Sequence, residues 1–365
     1  MNRENHCRLI ALSLVSVLLA ACVGTSPRSP VNPVEATPVA VTVMTFNVQN
    51  LFDGNDDPGK DDKAYLPIAA KQNPAHIDAC AEIEVASWRD ECLNLDWNSA
   101  AIEHKLTVLA DTIRQANGGL GADVIALQEV ENLGILERLR SNYLADLGYE
   151  PAILLEGADL RGIDVAFLSK LPLAGPPVLH PLTLAQFPDR ERDTRGVLQA
   201  DFQLPNGAIL TGFSVHFPAP FHPTEMRVAA FTHLTGLLQS LPDDRPVFAG
   251  GDFNTTSTED AEKHMLDTYA RPHWTLAHDI GCEDCKGSHY YSRDDSWSFL
   301  DMILLAGKRG GNTTAQFRAD SVEIANRNPA QVSKYGTPER YRSAERSGVS
   351  DHWPMLATIE VAQKQ

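Results

Sequence analysis

Pro246–Thr256 reads PVFAGGDFNTT, a short apolar run with a β-branched start, two glycines, then an acid and an amide one residue apart. The pattern predicts a buried strand over Val247, Phe248 and Ala249 that ends in a tight loop. Positions i and i+2 of an extended chain project to one side, so Asp252 and Asn254 are expected to converge at the strand's edge. Gly250 and Gly251 are expected to leave room for a bulky anion to approach the backbone. A carboxylate beside a carboxamide suits a metal-bound phosphate. The same letters also occur in ordinary strand-to-loop turns, so the rest of the chain decides between the two.

Upstream, VTVMTFNV over 41–48 alternates and is rich in β-branched and aromatic residues, which predicts a central strand ending on Asn47. Gln49 and Asn50 follow, placing amides where a phosphate or a ligand carboxylate can be held; a turn-forming asparagine is the alternative. Ile102, Leu106, Leu109 and Ile113 recur at helical spacing from Ser99, and Gly118 with Gly119 ends that covering helix. ADVIALQEV over 122–130 is a second buried strand closing on Glu129. A carboxylate there is costly without a partner, and a divalent cation would supply one. Ile163–Lys170 is a further strand with Asp164 at its start, and Val197–Phe202 with Ala208–Val215 forms a hairpin around Pro205, Asn206 and Gly207 that ends in His216.

Downstream, a helix over Pro223–Leu241 leads into the GGDFN strand. In SWSFLDMILLA, Asp301 interrupts an otherwise apolar strand and calls for a protonated or cationic neighbour. GVSDHWP then sets Asp351 beside His352 before a last strand, Met355–Val361. Strands alternating with helices, yet with adjacent hairpins, predict an α/β domain of two packed mixed sheets with helices outside.

The start of the chain reads differently. Arg3 and Arg8 precede an uncharged apolar run from Leu9 to Ala21, short for a bilayer, that ends Leu19, Ala20, Ala21, Cys22. It resembles a bacterial lipoprotein signal, which implies cleavage before Cys22 and lipid on its thiol and new amino end; a plain secretory signal is the alternative. Either way an exported protein is expected, and several acyl chains at Cys22 would anchor it to a membrane. Residues 22–40 carry Pro27, Pro30, Pro33 and Pro38 among Ser and Thr and read as an extended tether to a domain spanning 41–362.

The formal charge of −17 argues against a protein that coats nucleic acid non-specifically, since that requires lysine and arginine in excess. A local cationic cleft is compatible with it. In residues 327–346, Arg327, Lys334, Arg340, Arg342 and Arg346 outnumber Glu339 and Glu345 just before SDH, so the stretch either guides an anion or is a solvated loop.

Residues 53–98 read as an insertion. Asp53, Asn55, Asp56, Asp57, Asp61 and Asp62 crowd its start, but Pro58 stands where an EF-hand needs glycine and no glutamate closes the loop, so a solvated loop is expected. Besides Cys7 and Cys22 there are two close pairs, Cys80 with Cys92 and Cys282 with Cys285, and export favours disulfides. Closing the loop between Cys80 and Cys92 would contribute roughly 3 kcal/mol in the chain-entropy model. CEDC as half a zinc site lacks a second pair at ligand spacing.

Asn47, Glu129, His216, Asp252, Asn254, Asp301, Asp351 and His352 all fall at or near predicted strand ends. In this order the chain resembles the endonuclease/exonuclease/phosphatase superfamily, which contains deoxyribonuclease I, the abasic-site endonucleases, neutral sphingomyelinases and inositol polyphosphate 5-phosphatases. TFNV, LQEV, GGDFN, FLDMILL and SDH carry the resemblance. NVQNLFD, QEVEN and HYYSRDDSWSFLDMIL are most similar to bacterial extracellular and lipoprotein nucleases. The resemblance implies a four-layer αββα sandwich. It implies that Glu129 and Asp351, with Asn47 nearby, hold Mg2+, with Mn2+ or Ca2+ as alternatives. It implies that Asp252 and Asn254 position the attacking water and bind the scissile phosphate, that Asp301 orients His352, that Asp164 orients His216, and that His216 and Arg195 contact phosphate. Where deoxyribonuclease I has two groove-contacting residues, an arginine and a tyrosine, this chain has Glu131 and Gly162.

The expected function is an exported metal-dependent phosphodiester hydrolase acting on DNA or RNA. The alternatives are a phosphatase or sphingomyelinase-like hydrolase of small or lipid phosphoesters, and a non-catalytic binding module on the same fold. Nucleic acid as substrate and a membrane through Cys22 are the expected partners, with no protein partner.

Overall fold

The computed structural model describes residues 38–309 and 312–362, all within one compact unit. The signal, Cys22 and nearly all of the tether lie outside the described residues. The strands along the chain are β1 Val39–Leu51, β2 Val124–Val130, β3 Ile153–Leu154, β4 Asp164–Ser169, β5 Val178–His180, β6 Val197–Gln203, β7 Ile209–His216, β8 Val247–Asp252 and β9 Thr275–Leu276. They continue as β10 His289–Tyr291, β11 Ser296–Ser298, β12 Asp301–Ala306, β13 Lys308–Arg309, β14 Asn312–Thr313, β15 Ala315–Ile324 and β16 Met355–Val361. The helices are α1 Pro74–Ala81, α2 Ala86–Asn94, α3 Ser99–Gln115, α4 Leu133–Arg138, α5 Thr224–Ser240, α6 Ser257–Lys263 and α7 Ala277–Ile280.

Two six-stranded mixed sheets form, in the spatial orders β15-β16-β1-β2-β4-β3 and β5-β6-β7-β8-β12-β9. The two-residue side-chain period sorts each central strand into two faces. On β1, Val41 and Val43 pack between the sheets with Phe202, Phe248 and Ile303, whereas Met44, Phe46 and Val48 meet Ile102, Leu106 and Leu109 of α3. On β8, Phe248 faces the first sheet while Val247 and Ala249 meet Phe231 and Leu234 of α5. Three apolar layers between four structural layers follow from this alternation, as the sandwich requires. Each fully buried Leu or Phe in them contributes about 1.5–3 kcal/mol.

Local signals set the helix ends. The Asn98 side chain accepts from Ala101 N at 3.0 Å and caps α3, whose break is followed by Gly118 at φ +63°. Strand β1 begins at Val39, inside the stretch read as tether. The segment read as one strand through Asp301 is two. Strand β11 pairs with β10 in a separate ribbon, and Phe299 and Leu300 lie outside both strands before β12 starts on Asp301, which therefore opens its strand rather than interrupting it. The insertion is folded. Helices α1 and α2 are joined by the Cys80–Cys92 disulfide, with Cα atoms 5.7 Å apart, and the buried Lys71 donates to Ala64 O and Glu91 O at 2.7 and 3.2 Å. Cys282 and Cys285 form the second disulfide. Among the described residues no helix is long and apolar enough to cross a membrane.

Candidate active site

The rows that face each other across the sandwich are apolar for most of their length and turn polar at one end. On β1 the row Val41, Val43 continues through Thr45 to Asn47; on β2 it runs Val124, Ala126, Gln128. On the opposite sheet β7 ends on Ser214 and His216, β8 on Asp252, and β12 begins on Asp301. Strands β7 and β8 are parallel with His216 beside Asp252, and β12 is antiparallel with Asp301 beside Asp252. Register alone therefore gathers His216, Asp252 and Asp301 on one rim. A buried polar layer floors it, in which Thr45 Oγ1 donates to Gln128 Oε1 at 3.3 Å and Gln128 Nε2 to Ser214 Oγ at 3.5 Å.

Asn47 joins the two sheets at this end. Its Nδ2 donates to Asp252 Oδ2 at 3.0 Å and to Glu129 Oε1 at 3.4 Å. The pleat would direct Glu129 away from this face. Instead the β2 register shifts after Gln128 and Glu129 adopts φ +65°, which brings its carboxylate to the rim, where Oε2 accepts from Asn50 N at 2.9 Å. Gln49 and Asn50 are also left-handed, at φ +52° and +57°. Gln49, Asn50 and Glu129, none of them glycine, thus store backbone strain where the rim is built. The Gln49 side chain reaches the other loop, its Oε1 accepting from Tyr341 N at 2.7 Å and Asp351 N at 3.1 Å. NVQN thus fixes the SDH segment through the Gln49 side chain.

His352 Nδ1 donates to Asp301 Oδ2 at 2.6 Å, and its Nε2 lies 3.9 Å from Asp252 Oδ2. Burial alone would hold this imidazole neutral, but Asp301, Asp252 and Asp351 together raise its pKa well above the ordinary histidine value. His216 Nε2 lies 3.5 Å from Asp252 Oδ2; burial, then the cations of Arg195, Arg161 and His352, hold His216 well below the ordinary value. Burial pushes Asp252 up to about 7, with Asp301 adding to the effect and His352 opposing it.

Three expectations meet a different geometry. The chain leaves the extended conformation at Asn254, φ +50°, so the i, i+2 argument does not apply. Its N–H donates to Asp252 Oδ1 at 2.9 Å and its Nδ2 to Phe217 O at 3.0 Å. Gly250 and Gly251 serve packing instead of anion approach: a Cβ on Gly250 would lie 3.2 Å from that of Ala126 in the facing sheet, and one on Gly251 would lie 2.1 Å from Val215 O. Asp164 Oδ1 accepts from Gly157 N at 2.9 Å, while both Asp164 Oδ2 and His216 Nδ1 are buried without a hydrogen-bond partner in the protein. Asp164 and His216 are therefore not hydrogen-bonded to each other. Arg195 is buried, with its Nε 3.0 Å from Asp159 Oδ2.

The sequence reading passes over three residues. Arg161, whose Nη2 donates to Asn50 Oδ1 at 2.9 Å, stands in a loop with no motif around it to mark it. His289 packs with ring centroids 4.9 Å from His352, and burial lowers it to about 4. Lys105 is buried on α3 with Nζ 2.6 Å from Val349 O, and burial lowers it to about 7 against the pull of Asp351 and Glu129. A lysine inside the stripe Ile102, Leu106, Leu109 is the signal that would have revealed it.

The donors on the rim are oxygens. Asn47, Glu129, Asp252, Asp301 and Asp351 supply amide and carboxylate groups, Asp301 Oδ1 is buried without a partner, and oxygens of Asp252 and Asp301 come within 4.8 Å of each other and of a His352 nitrogen. Such a set fits a hard divalent cation rather than zinc. Glu129 and Asp351 are only half-buried and remain open to one, whereas Asp301 and His352 are already paired with each other.

The Endonuclease/Exonuclease/phosphatase family model matches residues 44–322. No curated protein matches the chain. Among solved structures, the chain is similar to an endonuclease/exonuclease/phosphatase family protein from Bacteroides thetaiotaomicron, at 13% identity over 89% of this chain and 98% of that one, TM-score 0.54. It is similar to a humanized D. rerio TDP2, at 13% identity over 88% and 99%, TM-score 0.54. It is also similar to a Bacteroides thetaiotaomicron mannosyl-6-phosphatase, at 14% identity over 87% and 99%, TM-score 0.52. At these identities the likeness is one of fold. Sandwich and rim together define a hydrolase of phosphoesters. The chain belongs to the endonuclease/exonuclease/phosphatase family, whose enzymes generally depend on divalent metal.

Proposed function

We propose that the protein is an exported, lipid-anchored, Mg2+-dependent phosphodiesterase that cleaves nucleic acid, with single strands as its preferred form. The observation that carries the substrate class is the cleft of about 760 Å3 beside the rim, lined by Gln49, Asn50, Trp88, Arg161, Phe221 and Arg340 among others. Trp88 and Phe221 are 55% and 75% exposed there. Guanidinium groups beside exposed aromatic rings are what unpaired bases on a phosphate backbone recognise, through charge and stacking. Glu131 supports the same reading. It is buried at 1% exposure, so the position offers no cation to a duplex groove.

In this reading Asn47, Glu129 and Asp351 hold the cation, which would supply Lewis-acid stabilisation of the phosphate's developing charge. Asp252 borders the water's position, and its carboxylate, raised toward neutrality by burial, has the basicity to take the water's proton. Imidazolium His352, held by Asp301, donates through Nε2 to a non-bridging oxygen, a contribution typically worth 10²–10³ in rate. Neutral His216 and the Asn254 loop close the far side.

Purified protein incubated with single- and double-stranded DNA, RNA, sphingomyelin and an inositol phosphate, each with Mg2+ and with chelator, tests the proposal. Cleavage of a nucleic acid that chelator abolishes is expected. Turnover of only the lipid or the inositol phosphate would overturn the substrate assignment, and inertness toward all would overturn the enzyme.

A further inference from the structure

Behind the rim lies a second group of acids that the catalytic reading does not use. Carboxylate oxygens of Asp57, Asp62 and Glu131 come within 4.8 Å of one another. Asp62 and Glu131 are each 1% exposed, so Asp62 turns inward from a loop whose Asn55, Asp56 and Asp61 remain exposed as the sequence suggested. Each spends one oxygen on the backbone: Asp62 Oδ2 accepts from Asp57 N at 2.8 Å, and Glu131 Oε2 from Asp53 N at 2.6 Å. The other oxygens, Asp62 Oδ1 and Glu131 Oε1, are buried with no hydrogen-bond partner in the protein.

No countercharge answers them. Among the described residues the acidic loop's one ion pair joins Lys63 to the neighbouring Asp56 at 3.9 Å, and no lysine, arginine or histidine pairs with Asp57, Asp62 or Glu131. Lys60 points elsewhere, donating to Asp159 O at 2.9 Å. Burying converging carboxylates without a cation is strongly unfavourable. The loop lacks the EF-hand spacing because its closing glutamate comes from another strand: Glu131 follows β2 and supplies from across the fold what the local sequence omits.

We propose that Asp57, Asp62 and Glu131 form a calcium-type cation site, separate from the catalytic rim and structural in role. Hard oxygen donors from an irregular loop and a strand end suit Ca2+, which accepts irregular geometry and completes its shell with water, better than Mg2+. The bound ion ties the loop after β1 to the end of β2, and so fixes the two strand ends that carry Asn47, Asn50 and Glu129. The proposal does not depend on the substrate assigned above.

The test is thermal melting of the full chain after chelator treatment, with and without Ca2+, alongside calorimetric Ca2+ titration. The Glu131→Gln and Asp62→Asn chains are compared with Glu129→Gln, which disables the rim instead. Saturating Ca2+ is expected to raise Tm by roughly 5 °C in the wild-type and Glu129→Gln chains, and not in Glu131→Gln or Asp62→Asn. The site is refuted if Ca2+ neither binds nor raises Tm in the wild type, if Glu131→Gln and Asp62→Asn keep the rise, or if Glu129→Gln abolishes it. Should one of the two loop-site variants fail to fold, the other decides.

Discussion

Asp301 and His352 show how one hydrogen bond can set the working range of an enzyme. The imidazole is buried, yet the Asp301 carboxylate 2.6 Å away, with Asp252 and Asp351, keeps it charged well above its ordinary value of 6.5. A raised pKa means that the charged form is complete below about 6.5 and is lost as pH rises through the elevated value. Asp301→Asn is therefore expected to move the alkaline limb of the kcat/KM profile to lower pH, and an unmoved limb would show that His352 is not the titrating donor. His352→Ala should lower kcat/KM by about 10²–10³ while leaving the circular dichroism and Tm of a folded chain. Much of this rim was legible in the sequence, because a lone acid such as Asp301 among apolar residues declares its need for a partner. Asp164 and Asn254 were less legible: nothing local reports a left-handed turn after Asp252, or that Gly157 would occupy the Asp164 carboxylate.

At the scale of elements, the decisive devices are the irregular ends of β1 and β2. Period-two patterning located both strands and assigned their faces, since Val, Ile and Phe at alternate positions leave one register that buries them. The same rule sends Glu129 to the wrong face. Only the bulge with φ +65° brings it to Asn47, and a bulge at a non-glycine residue leaves no mark in the sequence. The conformation costs a non-glycine residue about 1–2 kcal/mol. Glu129→Gly is thus expected to abolish metal-dependent turnover while keeping or raising the urea midpoint, and a clear loss of stability would mean that the carboxylate holds the fold rather than the ion. The edge elements were equally silent. Strand β15 sends Ala315, Phe317 and Val322 into the core, but its register against β16 shifts between Arg318 and Glu323, so its alternation breaks midway and does not announce a strand.

At the scale of the molecule, an acidic protein carries a cleft in which Arg161, Arg340 and Arg342 stand among Asp61, Glu91 and Glu345, walled in part by the insertion, where Trp88 on α2 and the Cys80–Cys92 disulfide sit together. Trp88→Ala should raise KM for single-stranded substrate several-fold with little change in kcat, as expected for a stacking contact worth about 1–3 kcal/mol per base. An unchanged KM would remove the insertion from substrate binding. The two sheets, their helical covers and the shared rim follow from sequence patterning, whereas the folding of the insertion against the rim depends on a disulfide and buried backbone contacts that no periodicity announces. The direction of β1 has one more result. The chain enters this strand at Val39, paired with Val361, and reaches Asn47 roughly 25 Å further on. The chain's entry and the polar rim therefore stand at opposite ends of the sandwich, and a change at Val39 or Val361 would leave the mouth untouched.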